Sequence, residues 1–436
     1  MDKWDGKRVY VMGLGRFGGG VGVTRFLAGN GAQVVVGDSG DPDGLAESVS
    51  LLTDLVDEGS VQLAIREHTD EDLEGIGVLV VNPAVPTPWE NGFVNEARSR
   101  GIKVTTEIEI VYRLLDPSRV IAVTGSAGKS TTCAMMHHAL KELGFETVLG
   151  GNIGGSLLSE IDAIKNDSFV VLEFSSAMLY WLGESGVFEE SPPRVGCVTN
   201  CVANHLDWHG EAGHYECSKR VLAERAERLV LGSGVADWGD GATVCEVDAI
   251  TGCAVPGKHN GINAAMAVKA IRAMTGVAED RVVDAVRGFG GLPHRLQLVH
   301  DCDEVRFYND SKCTVPGATV LAVEAIEEIV ARSQIHLIAG GYDKGSDLSA
   351  ISEMAADLAG LYTIGATGAG LAESAKENAE VCDDLTRAMG LIGTNLKAGD
   401  VVLLSPGCAS WDQFSNYEER GDRFTALAIS LVGVRE

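Results

Sequence analysis

This sequence predicts an α/β protein whose mostly parallel sheets are covered by crossover helices, and three observations carry that expectation. Apolar, β-branched runs alternate with helical segments almost throughout the chain. A hydrophobic share of 45% against 22% charged residues allows a large buried core. At 436 residues the chain exceeds what one core usually organises, so two or three domains are expected.

Taken in order, residues 8–13 read as a strand, followed by a glycine turn, a helix over about residues 18–29 and a strand over residues 33–38. A later strand, Gly77-Val78-Leu79-Val80-Val81, is closed by Asn82-Pro83, and a helix over residues 91–100 and the segment to Leu115 lead away from it. Asp116-Pro117 breaks the chain before a new strand. The second series opens with Val120-Ile121-Ala122-Val123 and a glycine loop, then a helix over residues 129–143 and strands over residues 169–174 and 195–199. A helix from Glu211 to about Leu229 carries the charged pattern Lys219-Arg220, Glu224-Arg225 and Glu227-Arg228; from there to Gly257 the chain is glycine-rich and shows no clear pattern. From Leu296 come two short strands around Asp301-Cys302-Asp303. Helices then alternate with apolar strands such as Ile335-His336-Leu337-Ile338 and Val401-Val402-Leu403-Leu404.

Charge narrows the function. Lys and Arg number 35 against 62 Asp and Glu, and a formal charge of −27 opposes any binding mode built on neutralising a phosphate backbone. Nucleic acid is therefore not an expected partner, and the scattered acidic residues read as a solvated surface. No apolar run reaches membrane-spanning length, and Met1-Asp2-Lys3-Trp4-Asp5 leads into the first strand without an apolar signal core, so a cytoplasmic protein without a membrane partner is expected. The 10 cysteines include no C-x-x-C pair and lie largely in apolar stretches, which suits reduced, buried thiols. Cys197, Cys201, His205, His209, His214 and Cys217 form the one group where zinc would be sought, and their spacing matches no standard zinc pattern.

Two glycine loops point to phosphates. Thr124-Gly125-Ser126-Ala127-Gly128-Lys129-Ser130-Thr131 sits between a predicted strand and a predicted helix. There, glycines let backbone N–H groups approach phosphate oxygens, Lys129 reaches the terminal phosphates, and Ser130 or Thr131 can hold Mg²⁺. Val123 stands where the full P-loop has its first glycine. Gly13-Leu14-Gly15-Arg16-Phe17-Gly18, with Asp38 ending the next strand, matches the dinucleotide fingerprint; alone it fits an NAD site, a site for another diphosphate nucleotide, or a plain turn. The second phosphate cradle downstream weighs against hydride transfer. Leu172-Glu173-Phe174-Ser175-Ser176 puts a carboxylate at a strand end beside the P-loop, where it can reach Mg²⁺, and Asn204-His205-Leu206-Asp207 follows another strand of the same sheet.

Six blocks in this order resemble the Mur ligases: the P-loop, Gly150-Gly151-Asn152-Ile153-Gly154, the Glu173 block, Leu292-Pro293-His294-Arg295, Asn309-Asp310-Ser311-Lys312, and residues 404–414 from Leu404 to Phe414. The resemblance covers nearly the whole chain, and its last block is most similar to the glutamate-adding branch. It implies a Rossmann-like domain over residues 1–114 for the UDP end of a precursor, a central P-loop ATPase domain over 115–294, and a Rossmann-like amino-acid-binding domain over 295–436. The implied reaction joins glutamate to a UDP-linked muramoyl precursor at the expense of ATP through an acyl phosphate, with two Mg²⁺ ions, in a monomer.

The resemblance also distributes roles. Gly15, Arg16, Phe17, Asp38 and Ser39, with Asn152 and Ser175, would meet the UDP precursor. Gly125 to Thr131 would hold ATP, helped by Asn260 and Asn263 at adenine and by Arg295 and Asp310. Ser130, Glu173 and His205 would hold metal, joined by Lys219, which matches the lysine that the family carbamylates. Lys129, His205 and Lys219 are the implied catalytic group, with His205 a candidate base. Lys312, Thr314, Lys344, Ser410, Trp411 and Tyr417 match the amino-acid positions, and Lys344 is the residue expected to select an acidic side chain. The sequence departs from the family pattern at Ala127, Asn204, Ala177-Met178, Asn82 and Ala84, and the stretch from Lys219 to Asn260 is short. Rival readings are a related ligase using L-glutamate or another amino acid, a nucleotide-binding homologue without ligation, and an NAD-dependent oxidoreductase.

Overall fold

A computed structural model describes residues 4–15, 18–245, 249–302 and 304–432. The chain divides into two compact units, one formed by residues 1–247 and 265–285, the other by 248–264 and 286–436.

The first unit holds two sheets. The first sheet contains β1 (Arg8–Met12), β2 (Gln33–Asp38), β3 (Val61–Ile65), β4 (Val78–Val81) and β5 (Lys103–Thr105), in the order β3-β2-β1-β4-β5 with every pairing parallel. β4 is Val-Leu-Val-Val, buried at every position, as a strand covered on both faces must be. The second sheet contains β6 (Val120–Thr124), β7 (Thr147–Gly151), β8 (Phe169–Glu173), β9 (Val195–Val198), β10 (Leu229–Gly232) and β11 (Thr243–Cys245). Its order is β11-β10-β9-β6-β8-β7, again all parallel. One apolar core runs through both sheets, from Val9 and Leu27 through Val111 and Tyr112 to Val120, Leu172 and Phe188. The Tyr112 hydroxyl donates to Ser191 O at 2.7 Å, so the helix Glu107–Leu114 is tied to the second sheet at its polar tip as well.

The second unit carries one six-stranded sheet: β12 (Gln297–Cys302), β13 (Val305–Asn309), β14 (Ile335–Gly340), β15 (Gly360–Ile364), β16 (Ala379–Asp383) and β17 (Val401–Leu404). The order is β12-β13-β17-β14-β15-β16; only the β12–β13 hairpin is antiparallel. Apolar clusters cover both faces, one around Leu337 and Leu403, the other around Ile338 and Leu404. Successive residues of one strand thus face opposite layers.

One element differs from the sequence expectation. The helix expected to reach Leu229 is Ala212–Arg225, and Leu229 begins β10. The charged run continues to Arg228, but Leu229-Val230-Leu231 is a short apolar run that the sheet takes up, pairing with β9 on one side and β11 on the other. Among the described residues no helix is long and apolar enough to cross a membrane.

Candidate active site

β6 is buried along its length and runs directly into the P-loop. Gly125 takes φ +148°, where an added Cβ would run into the Thr199 side chain, and Gly128 takes φ +81° to begin the helix Lys129–Glu142. No side chain caps that helix start, so its first N–H groups are left for an anion. Cys133, Met136 and Leu140 bury its inner face. The loop is braced from the end of β9: Thr199 Oγ1 donates to Ala127 O at 2.6 Å, and Asn200 Oδ1 accepts from Ala127 N at 3.0 Å. Ser126 Oγ donates to Val202 O and lies 2.8 Å from the Tyr215 hydroxyl. The Lys129 ammonium reaches back to Ser126 O at 3.3 Å, and Ser130 and Thr131 are half-buried in the first turn.

Register places Glu173 opposite Val123, one strand from the loop. Its side chain is buried; Oε1 accepts from Asn152 Nδ2 at 2.8 Å, while Oε2 is buried with no hydrogen-bond partner. A buried carboxylate oxygen left unmatched is costly and calls for a cation. Among the described residues no group of three or more His, Cys, Asp or Glu gathers to hold a metal. The donor set therefore fits Mg²⁺ held by Glu173 and the Ser130 hydroxyl together with phosphate oxygens of a nucleotide, which is how this ion is commonly bound.

Lys219, from the helix Ala212–Arg225, is 1% exposed; its ammonium donates to Gly125 O at 2.8 Å and Thr124 Oγ1 at 3.3 Å, and lies 4.7 Å over the Tyr215 ring. Burial, helped by the neighbouring Lys129 charge, lowers its pKa to about 7. His205 stands apart: it is exposed, in the left-handed region at φ +51°, with its ring centroid 6.5 Å from that of Tyr215. The turn after it is anchored on two sides, by Trp208 Nε1 donating to Pro83 O at 3.0 Å and by His209 Nε2 at 2.8 Å from Ser176 Oγ. Within the group weighed for zinc, His209 and His214 meet each other through Nδ1 atoms 2.8 Å apart, whereas Cys197 is buried on β9 and Cys217 is exposed. Burial lowers His209 to about 4.

A cleft of about 420 Å³ opens between the two sheets of this unit and brings Gly15, Asn152 and Ser175 together, with Asn82, Glu107 and Ser156 in its wall. Asp38 braces the turns beside the cleft: Oδ2 accepts from Gly15 N at 3.0 Å and Oδ1 from Gly40 N at 2.8 Å. Ser39 is exposed, and Arg16 and Phe17 lie outside the described residues. Ser175 caps the helix Ser176–Glu184 by accepting from Met178 N at 3.1 Å.

The remaining candidates belong to the second unit. Thr314 and Lys344 share a small cleft with Cys408. The Lys344 ammonium lies 4.6 Å over the exposed Trp411 ring, and that of Lys312 5.0 Å over the half-buried Tyr417 ring. Ser410 is buried. Asp310 accepts from Leu296 N at 3.1 Å and Ser405 Oγ at 2.8 Å, and burial raises it to about 6, while Arg295 is exposed. Asn260 and Asn263 are buried on the helix Lys258–Thr275, Asn260 Nδ2 donating to Pro256 O at 2.7 Å.

Three residues of these surroundings were not singled out from sequence. Tyr215 braces both the loop and Lys219, and the only signal was its place four residues before that lysine. Arg420 is buried beside Cys408, donating to Ser311 Oγ, Ser311 O and Cys408 O at 3.0, 2.8 and 3.1 Å, and burial lowers it to about 10. Glu107 carried no motif at all.

Comparison with known proteins supplies independent findings. Residues 123–232 match the family model described as the Mur ligase middle domain, and residues 294–408 the one described as Mur ligase, glutamate ligase domain. A protein of Pelotomaculum thermopropionicum named UDP-N-acetylmuramoylalanine--D-glutamate ligase is 35% identical, with 98% of each chain covered. A Roseiflexus protein of the same name is 32% identical over 98% of this chain and 99% of its own. Among solved structures, UDP-N-acetylmuramate-alanine ligase MurC from Thermotoga maritima superposes with a TM-score of 0.57 at 17% identity, covering 97% of this chain and 99% of that one. At that identity the likeness speaks for the three-domain α/β fold.

Proposed function

Because the chain belongs to the Mur ligase family, we propose that it is an ATP-dependent ligase adding D-glutamate to UDP-N-acetylmuramoyl-L-alanine in peptidoglycan precursor synthesis. The observation that carries the chemistry is the buried Glu173 carboxylate, one oxygen without a partner, one strand from a P-loop whose helix start is uncapped. Mg²⁺ bound there would offset the charge that spreads over the phosphoryl oxygens.

In the proposed sequence, the precursor's terminal carboxylate oxygen attacks the γ-phosphorus of ATP, the bond to the bridging oxygen breaks, and ADP leaves. The neutral amine of glutamate then attacks the acyl carbon, the C–O bond to phosphate breaks, and the amine's extra proton passes to a base. The P-loop N–H groups and Lys129 hold the phosphates in line; this is positioning and electrostatics more than covalent work. Lys219, whose pKa lies near 7, is suited to attack carbon dioxide as the unprotonated amine, forming the N–C bond and giving up one N–H proton to solvent, which would leave a second carboxylate near Gly125. Thr314, Lys344 and Ser410 would receive the amino acid, the Lys344 ammonium meeting its side-chain carboxylate.

Phosphate release from ATP and Mg²⁺ tests the reading, with UDP-N-acetylmuramoyl-L-alanine and either D-glutamate, L-glutamate or no amino acid. Release is expected only with precursor and D-glutamate together; release confined to L-glutamate would change the product, and none under any condition would remove the ligase. Glu173→Gln keeps an acceptor for Asn152 but loses the anionic ligand, so turnover should fall at least about a hundredfold with the melting temperature within a few degrees of the wild type.

A further inference from the structure

The wall of the 420 Å³ cleft contains a carboxylate that none of the roles above uses. Glu107 opens the helix Glu107–Leu114 from the first sheet's side of the unit. Its Oε1 accepts from Ser156 Oγ at 2.6 Å, the last residue of the glycine-rich turn after β7. Among the described residues that is its one hydrogen bond and no cation pairs with it; burial drives its pKa upward against the Ser156 hydrogen bond. Elsewhere the described wall is glycine, Val, Leu, Pro, Ala, Met and neutral amide or hydroxyl. A half-buried carboxylate with one hydroxyl partner has acceptor capacity left over, and leaving it unmatched is costly. The same charge repels phosphate. That repulsion directs the diphosphate towards backbone N–H groups of the glycine turns, and leaves Glu107 to accept from a hydrogen-bond donor of the ligand.

We infer that Glu107 is a specificity-determining residue of the precursor site, accepting a hydrogen bond from an N–H or O–H of the amido-sugar portion. This rests on the ligase reading and deepens it. Ser156 orients the carboxylate, so the two contributions separate by substitution. Glu107→Gln retains an oxygen for Ser156 but turns the open position into a donor, which meets the ligand donor head-on. Ser156→Ala removes the orienting hydroxyl and leaves the acceptor in place.

The experiment is equilibrium binding, by calorimetry, of UDP-N-acetylmuramoyl-L-alanine and of UDP alone to the full chain and to both variants, with thermal melting to establish folding. Glu107→Gln is expected to weaken the precursor roughly ten- to a hundredfold, the value of a hydrogen bond to a charged group, with UDP binding unchanged, and Ser156→Ala, which loosens the carboxylate but keeps it, to weaken the precursor by clearly less. Equal weakening of UDP, or the same loss in Ser156→Ala as in Glu107→Gln, would overturn the inference by making Glu107 a nucleotide contact or a mere clasp. Wild-type affinity in Glu107→Gln would overturn it alone, whereas a wild type that does not bind the precursor would bring down the ligase reading with it.

Discussion

Burial sets the Lys219 amine at about 7, against an ordinary 10.5, and that shift has a stability consequence with a definite sign. Between those two values the unfolded chain holds a proton that the folded chain lacks, so stability rises with pH across the window; below about 7 the folded state bears the full cost of a buried cation. Lys219→Met removes the charge but leaves Gly125 O and Thr124 Oγ1 without their donor, so the absolute change is a balance of two effects. The pH trend is not. In buffer freed of carbon dioxide, the stability of the wild type relative to Lys219→Met is expected to increase steadily from pH 7 to pH 10, read as the difference in melting temperature; a difference independent of pH would mean that the amine titrates normally. Legibility in the sequence followed the same chemistry. Gly125, Lys129 and Glu173 were readable because phosphate and metal binding demand those residue types at those places. Tyr215 was not, since an aromatic on a helix reads as core, and Glu107 was not, since an acid at a helix start reads as complementing the helix dipole. Asp38 was readable as a residue near the first glycine turn, but its two oxygens are engaged by backbone N–H groups that no sequence pattern reveals.

At the scale of elements, the central strands were legible and the edges were not. β4 and β17 are continuous apolar runs, and so are β1 after Arg8 and β6 up to Thr124, because both faces are covered, and such runs stand out. β7 is Thr-Val-Leu-Gly-Gly at a sheet edge, and its two glycines break the apolar run that would mark a strand. They are nevertheless why the site has its shape. Gly151, at φ +92°, packs so closely on the Glu173 carbonyl that a Cβ would overlap it, and Asn152 N then donates to that same carbonyl at 2.8 Å. Gly151→Ala thus strains the backbone and pushes on the residue that carries the proposed metal ligand. A loss of about 1–3 kcal/mol is expected in urea unfolding, accompanied by a fall in phosphate release greater than instability alone produces at a temperature where the variant is fully folded. Gly390→Ala, in the helix Leu385–Asn395 of the second unit, is the control: its Cβ position is open and its φ is not positive, so stability and turnover should both stay near wild type. Equal behaviour of the two variants would remove the strand end from the account.

The whole molecule bears a charge that no single site explains. Acidic residues exceed basic ones to give −27, yet all three proposed substrates are anions. The composition announced this surplus and the α/β alternation announced the sheets. What neither announced is how the cations are used: many are paired at the surface, as in Arg25 with Asp54 at 2.7 Å or Lys165 with Glu146 at 2.9 Å, while Lys129, Lys219 and Lys344 sit at the candidate sites. Exposed pairs contribute little each and are screened by salt, whereas unmatched acidic charge repels across the surface and destabilises the compact state. Salt acts on both, and the two effects oppose. With so large a surplus the repulsion should dominate. Raising sodium chloride from about 0.02 M to 0.3 M, which shortens the screening length from roughly 20 Å to below 10 Å, is therefore expected to raise the melting temperature monotonically. Replacing sodium chloride by a neutral osmolyte at equal osmolality separates screening from exclusion, because only the salt can relieve charge repulsion. A melting temperature that falls with salt would mean that the surface pairs outweigh the net charge, and the acidic surplus would then have to be carried as closely matched pairs rather than as an open field.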